Sequence, residues 1–427
     1  MELGFAYYAR QMNATFLIIL ALCFLGNGRA WCGDWPQFLG PTRNGVYAGA
    51  DLAETWPKDG PTIVWQKSIG QGFSGPAVAE HKLILFHRVA DQETVDCLDA
   101  KTGRPIWSFA YPTTYQDDFG FDEGPRATPS IAAGRVFTFG AEGRLHCLDF
   151  NTGKKIWSVN AKTEFAAPKG FFGIACSPLV EGNAVLLNIG GADGAGIVAF
   201  DPATGKVLWK TSDDEASYSS PVAATVNGRR YAFFFTRKGL VAVDPVTGKV
   251  QFQYPWQPPM HASVSSATPL VVDDLIFLSA SYGTGAILLR VKDNAVERVW
   301  SSDKALSNHY MTSVYRDGFL YGIDGRTDPG FPPGPSLRCV ELKTGKIRWE
   351  EKSVGAATII LAGDQLLILT EKGELIRTAA TPEGFKPNAR AQVLPFQVRA
   401  YPALADGYFY ARSKDKLVCV DLSKGKH

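Results

Sequence analysis

A single phrase, repeated at a near-constant interval, limits what this chain can fold into. It reads Asp99-x-x-Thr102-Gly103-Arg104-x-x-Trp107 and returns at Asp149, Thr152, Gly153, Lys154 and Trp157. It comes again at Asp201, Thr204, Gly205, Lys206 and Trp209, then at Asp244, Thr247, Gly248, Lys249 and Phe252. A degenerate copy ends at Trp300, a full one runs from Glu341 through Thr344, Gly345 and Lys346 to Trp349, and a partial one from Asp421 closes the chain. Successive aromatic residues are 50, 52, 43, 48 and 49 residues apart, which is one supersecondary unit repeated.

The chemistry of the phrase is that of a hairpin. An alternating apolar strand ends at the carboxylate, which caps a tight turn. Thr-Gly makes the turn, with glycine in the left-handed conformation, and the next strand starts at the basic residue. The aromatic side chain then offers a large face to the neighbouring unit. Trp65, Trp107, Trp157, Trp209, Phe252, Trp300 and Trp349 are the expected docking residues. A second mark precedes each unit, at Gly75-Pro76, Thr128-Pro129, Ser177-Pro178, Ser220-Pro221, Thr268-Pro269, Thr312-Ser313 and Tyr401-Pro402.

Four strands per unit of about 40–50 residues is the mark of a propeller blade. Units begin near Gly72, Gly124, Phe172, Tyr218, Ser263, Asn308, Gly355 and Arg399, which makes eight. The last stops before a fourth strand can form, whereas residues 61–69, with Trp65 in the docking place, have no hairpin partner. The fold expected is therefore all-β: an eight-bladed propeller of four-stranded antiparallel blades over 61–427, its ring closed by the N-terminal strand. Residues 31–60 form a Pro- and Gly-rich lead-in, expected along the outside of the ring.

Ahead of it, residues 14–25 are an apolar run of 12, preceded by Arg10 and followed by small and polar residues up to Ala30. The run is too short to span a bilayer, which takes about 20 residues, and suits a signal peptide over 1–30. The chain is expected to be exported to the periplasm or secreted, a monomer, touching a membrane only if that segment is kept. Lys and Arg total 44 against 42 Asp and Glu, so no basic field exists to hold nucleic acid. Cys97, Cys147, Cys339 and Cys419 share one place in the repeat, where sister units carry Ala199 and Ala242. A place that takes Cys or Ala is a small packing site, so free buried thiols are expected.

The Asp-x-x-Thr-Gly-Lys-x-x-Trp phrase resembles the tryptophan-docking repeat of pyrroloquinoline-quinone-like propellers, over essentially all of 61–426. That resemblance implies either of two roles. One is a quinoprotein alcohol or sugar dehydrogenase with pyrroloquinoline quinone and Ca²⁺. The other is a periplasmic scaffold in outer-membrane protein assembly. The chain departs from both patterns. It has no adjacent cysteines, no C-x-x-C-H haem motif and no segment matching the enzymes' calcium ligands, and Arg29-Ala30-Trp31 before Cys32 is a poor lipidation box. The reading drawn is an exported repeat protein that binds a small molecule or a periplasmic protein at one polar channel mouth.

That mouth is expected where the longer loops gather: 115–126 (YQDDFGFDEGPR), 165–176 (FAAPKGFFGIAC), 212–219, 257–266 and 304–312 between blades, and 190–196, 281–285 and 324–336 within them. Arg126, Lys169, Arg326 and Arg399 suit a carboxylate-rich ligand, unless Asp118, Asp122 or Asp324 pair with them. His261 and His309 precede first strands and suit acid–base or ligand contact. Glu215, Tyr282 and Asn308 complete the ligand candidates; Asp118, His309 and Asp324 are the catalytic ones, and no metal site is assigned.

Overall fold

The computed structural model describes residues 33–260, 264–328 and 334–424. Eight antiparallel four-stranded sheets follow one another around a central axis. Blades 1 to 7 each run straight along the sequence, from Ala77–Ala79 through to Pro387–Gln392. Blade 8 is assembled from both ends. Its first three strands are Ala403–Ala405, Tyr408–Arg412 and Lys416–Asp421, and its fourth is Ile63–Ser68, with Trp65 opposite Cys419. Each blade's first strand is innermost, so the turns after the first and third strands open on one face. The longer loops open on the other.

The repeated phrase folds as its chemistry dictates. In blade 1 the Asp99 carboxylate accepts from the Thr102 N–H at 2.8 Å and from its hydroxyl at 2.6 Å. Those two bonds, the hydroxyl's first, hold the Asp99 carboxyl below its ordinary range. Gly103 takes a φ of +69° and the flat of the preceding blade's Trp65 lies where a Cβ would go, so glycine is required twice over. The Trp65 indole N–H then donates to the Ala100 carbonyl at 3.0 Å. Trp107 reaches Phe150, Trp157 reaches Pro202, Trp209 reaches Pro245, Trp300 reaches Leu342 and Trp349 reaches Thr381 in the same way. Phe252 has no N–H to give. The hairpin it would face is a two-residue turn, Asp293-Asn294, with Lys292 paired to Ala295.

The second periodic mark binds blades together near the axis. The Gly75 N–H donates to the Thr128 hydroxyl at 3.2 Å, Thr128 N–H to Ser177 at 2.9 Å, Ser177 N–H to Ser220 at 3.0 Å, and Thr268 N–H to Thr312 at 3.0 Å. Thr312 N–H passes to the Tyr401 hydroxyl. Four buried N–H groups at inner-strand starts are thus satisfied by the next blade, and that of Thr312 in blade 6 by blade 8.

The first part of the lead-in, 33–47, does not lie outside the ring; it plugs the channel, and the rest runs past blade 8 to Gly60 beside Ala391 of blade 7's outer strand. Gly33 meets the Asp406 turn of blade 8 on the Thr-Gly face. Trp35 bridges to Val78 of blade 1, and Pro36 accepts from Ile131 of blade 2. After the turn at 37–43 the chain returns along blade 7, where Val46–Tyr47 pairs in parallel with Leu361 and Ala362. At the deepest point sits Arg43, only 2% exposed. It donates to the carbonyls of Ser177 at 3.3 Å and Pro221 at 2.8 Å, to Pro178, and to Gln37 Oε1 at 2.9 Å. Burial pushes its guanidinium down to about 10, so it stays charged at neutral pH. The inner strands of a wide ring leave orphan carbonyls and a void along the axis, and a Trp, an Arg and a short strand fill both.

Candidate functional site

With its lower end plugged, the channel survives as a blind cup on the loop face. Phe38 of the plug lies in its lining and meets Tyr401 edge-on at 5.0 Å. The walls are Phe73, Phe121, Phe172, Tyr218, Tyr282 and Tyr310, with Arg126, Arg399, His309 and Asp328 among them. The expected polar mouth is therefore an aromatic one. Its rings touch in series: Phe121 lies 6.1 Å from Phe172, which meets Tyr218 edge-on at 5.6 Å. The run continues to the rim through Phe119, 55% exposed and 5.0 Å from Phe172.

Local structure places these rings. Asp117 accepts from the Phe121 N–H at 2.6 Å, folding the 115–126 loop so that Phe121 turns inward. The Tyr218 hydroxyl accepts from the N–H groups of Phe171 at 2.9 Å and Phe172 at 3.2 Å, fixing the neighbouring loop. Arg126 lies 3.4 Å from the Asp117 carboxylate and donates to the carbonyls of Gly124 and Asp122. Arg399 holds Glu371 at 2.7 Å, its guanidinium 5.8 Å from the Phe73 ring and 5.3 Å from Phe121. Arg326 holds Asp328 at 2.6 Å and stacks 4.1 Å over Tyr282. Arginine above an aromatic face, with its charge balanced behind, is a stable way to keep a cation in a half-dry site.

His309 is nearly buried, with Nε2 3.0 Å from the Tyr282 hydroxyl and Nδ1 3.1 Å from Thr327 Oγ1. Burial, outweighing the nearby Asp328 carboxylate, pushes the imidazole down to about 4, so it is neutral at pH 7. Burial likewise pushes the Tyr282 phenol up to about 12.

Of the sequence candidates, Arg126, Tyr282, His309 and Arg399 line the cup, and Arg326 stands against it through Tyr282. Lys169 and Asp118 pair with each other at 2.6 Å on the rim, half exposed. Asp324 is not at the mouth: it pairs with Arg338 at 2.9 Å and accepts from the Ser307 N–H, a loop fastening. Asn308 is buried, bonded to the Ile323 carbonyl and to Ser313. Glu215 stands against Arg237. His261 lies outside the described residues. The supposed cationic ring is thus a set of separate ion pairs: Arg126 and Arg326 meet carboxylates of their own loops, and Lys169 and Arg399 meet carboxylates of neighbouring ones. Sequence reasoning passed over Phe73, Phe121, Phe172, Tyr310 and Tyr401. The runs Phe119-Gly-Phe121 and Gly170-Phe-Phe172 in the two longest inter-blade loops were the available signal.

Aromatic walls and two arginines suit a quinone's rings and carboxylates; the calcium is another matter. Asp328, a lining carboxylate, is held by Arg326, and among the described residues no three His, Cys, Asp or Glu side chains converge to hold an ion. The described residues do not fit a calcium-dependent quinone site. The five described cysteines, Cys97, Cys147, Cys176, Cys339 and Cys419, are free and buried.

The fold is shared with solved structures of low sequence identity. BamB from Moraxella catarrhalis is 16% identical with a TM-score of 0.63, covering 86% of this chain and 99% of that one. Quinohemoprotein alcohol dehydrogenase from Comamonas testosteroni is also 16% identical, with a TM-score of 0.64 over 92% of this chain and 81% of the enzyme. The computationally designed Ika8 protein aligns at 12% identity and a TM-score of 0.57, over 85% of this chain and all of the design. No curated protein sequence matches. Residues 91–351, more than half of the chain, match the family described as outer membrane protein assembly factor BamB, and the chain belongs to that family.

Proposed function

We propose that this chain is an exported propeller that binds a ligand in the aromatic cup of its loop face. The observation carrying this reading is the plug. With Trp35, Phe38 and Arg43 filling the axis, the cup is blind, walled by rings and open at one end, the form of a small-molecule site. Export rests on the apolar run at 14–25 and the small residues before Ala30. No helix among the described residues is long and apolar enough to cross a membrane.

A saturable fluorescence titration with 2-naphthol tests the reading. Binding at one site, weakened at least about tenfold in the double variant Phe121→Ala/Phe172→Ala and unchanged by Ile106→Ala on the outer strand, supports it. The absence of saturable binding would overturn it.

The second reading is a protein partner at the same face, as the family's description suggests for its members. The exposed Phe119, which carries the aromatic run out of the cup, favours it. The quinone-dependent dehydrogenase reading finds support in the rings and in Arg126 and Arg399, and none in a calcium site. A calcium-dependent rise in melting temperature with pyrroloquinoline quinone would restore it.

A further inference from the structure

The junction between blades 7 and 8 breaks the repeat. At six other junctions an indole N–H crosses to the neighbouring turn, and Phe252 keeps an aromatic ring at the seventh. In blade 7 the strand register puts Ala389 in that place. It pairs with Arg377 beside the strand bulge, as Trp349 pairs with Cys339 and Trp65 with Cys419. Elsewhere the third strand offers Cys, Ala or Leu to the aromatic residue; here a long cation faces a methyl group.

The lead-in makes up part of the loss. Leu422 follows Asp421 as Ala100 follows Asp99, so its carbonyl is the one that would take the indole N–H. It accepts instead from the Ala53 backbone N–H at 2.8 Å. A backbone N–H brings no ring with it. A cavity of about 230 Å³ is left at this junction, walled by Leu52, Trp56, Leu367 and Leu422, with Arg377 along it.

Arg377 is under-used there. One Nη donates to the Ala53 carbonyl, and its other nitrogens make no hydrogen bond or ion pair among the described residues. Burial draws its pKa below the ordinary arginine value, against the nearby charges of Asp364 and Glu54. A place that holds tryptophan at six comparable junctions, beside a guanidinium with donors to spare, suits an indole that arrives with a carboxylate.

We propose that the cavity between blades 7 and 8 docks a tryptophan of a partner protein, with an adjacent aspartate or glutamate on Arg377. The site lies toward the hairpin face, opposite the cup, and shares no lining residue with it.

The test is a calorimetric titration of the whole exported chain with the peptide acetyl-Ser-Asp-Trp-Ser-amide. Two relatives serve as controls, one with Ala for Trp and one with Asn for Asp. One-site binding is expected, at least about tenfold weaker without the indole and about fivefold weaker without the carboxylate. Arg377→Gln should bring the Asp and Asn peptides within about twofold of each other. The double variant Arg377→Cys/Ala389→Trp restores the pair found in blade 6. It should melt no lower than the unsubstituted protein and lose peptide binding, its own ring having filled the site. Lack of saturable binding to the unsubstituted protein, equal affinities for the Trp and Ala peptides, or full affinity in a double variant that melts normally would overturn the assignment. If the double variant melts early, Arg377→Gln decides: an undiminished preference for the Asp peptide overturns the role of Arg377 and the proposal with it. Neither variant should alter 2-naphthol binding, so this site and the cup fail separately.

Discussion

The Arg43 guanidinium lies 2.8 Å from the carbonyl oxygen of Pro221, 178 residues further along the chain. That contact, with those to Ser177 and Pro178, ties the plug to blades 3 and 4 and gives buried carbonyls their donor. Arg43→Met keeps much of the length and removes every donor. It is expected to cost roughly 3 kcal/mol, since each orphaned buried group costs about 1–3 kcal/mol. Urea denaturation measures it. A loss under about 1 kcal/mol would mean that the plug is held by Trp35 and Val46–Tyr47 alone.

Trp157 and Phe252 make an internal comparison. The Trp157 indole N–H donates to Pro202 at 3.1 Å, so Trp157→Phe should destabilise by about 1 kcal/mol beyond the small change in buried area. Phe252→Trp should bring no gain, because the blade 5 hairpin facing it is the short Asp293-Asn294 turn. Thermal melts of the two variants decide it; a clear rise for Phe252→Trp would show that an acceptor is within reach.

Two buried histidines give the stability a pH dependence of definite sign. Burial pushes His309 down to about 4 and His146 to about 3, below the ordinary value of about 6.5. Between those limits the unfolded chain binds protons that the folded chain refuses, so stability falls as pH drops from 6.5 toward 4. From pH 7 to pH 5 each histidine should withdraw about 2 kcal/mol. His309→Gln should recover about that much of the fall. An identical fall in the variant would show that His309 is protonated in the folded state.

Burial pushes the thiols of Cys97, Cys147 and Cys419 up to about 12 and those of Cys176 and Cys339 to about 11. None of the five should react with a thiol-specific disulfide reagent in the folded protein, and all should react in denaturant. Rapid labelling of any of them under native conditions would contradict the packing.

The ring was legible in the sequence because its chemistry repeats. Aspartate, Thr-Gly and an aromatic residue at fixed spacing leave little freedom, and the missing fourth strand at one end called for the spare strand at the other. The plug was not legible, because residues 35–47 occur once and Arg43 recognises backbone carbonyls, which every sequence has. The cup was half legible. Charge drew attention to Arg126, His309 and Arg399, whereas Phe121 and Phe172 look like ordinary loop residues until Asp117 and Tyr218 are seen to turn them inward.

The strand Ile63–Ser68 rests on Lys416–Asp421, so birth order and completion order run opposite ways. The first blade strand to be made waits for the last, and the plug beside it waits for walls to receive it. A chain emerging from its N-terminus therefore carries an unmated strand edge until almost the whole length has appeared. Such an edge invites mispairing with other chains. Truncation near the C-terminus would strip the partner from a strand more than 350 residues away, leaving the circle open where the polypeptide began.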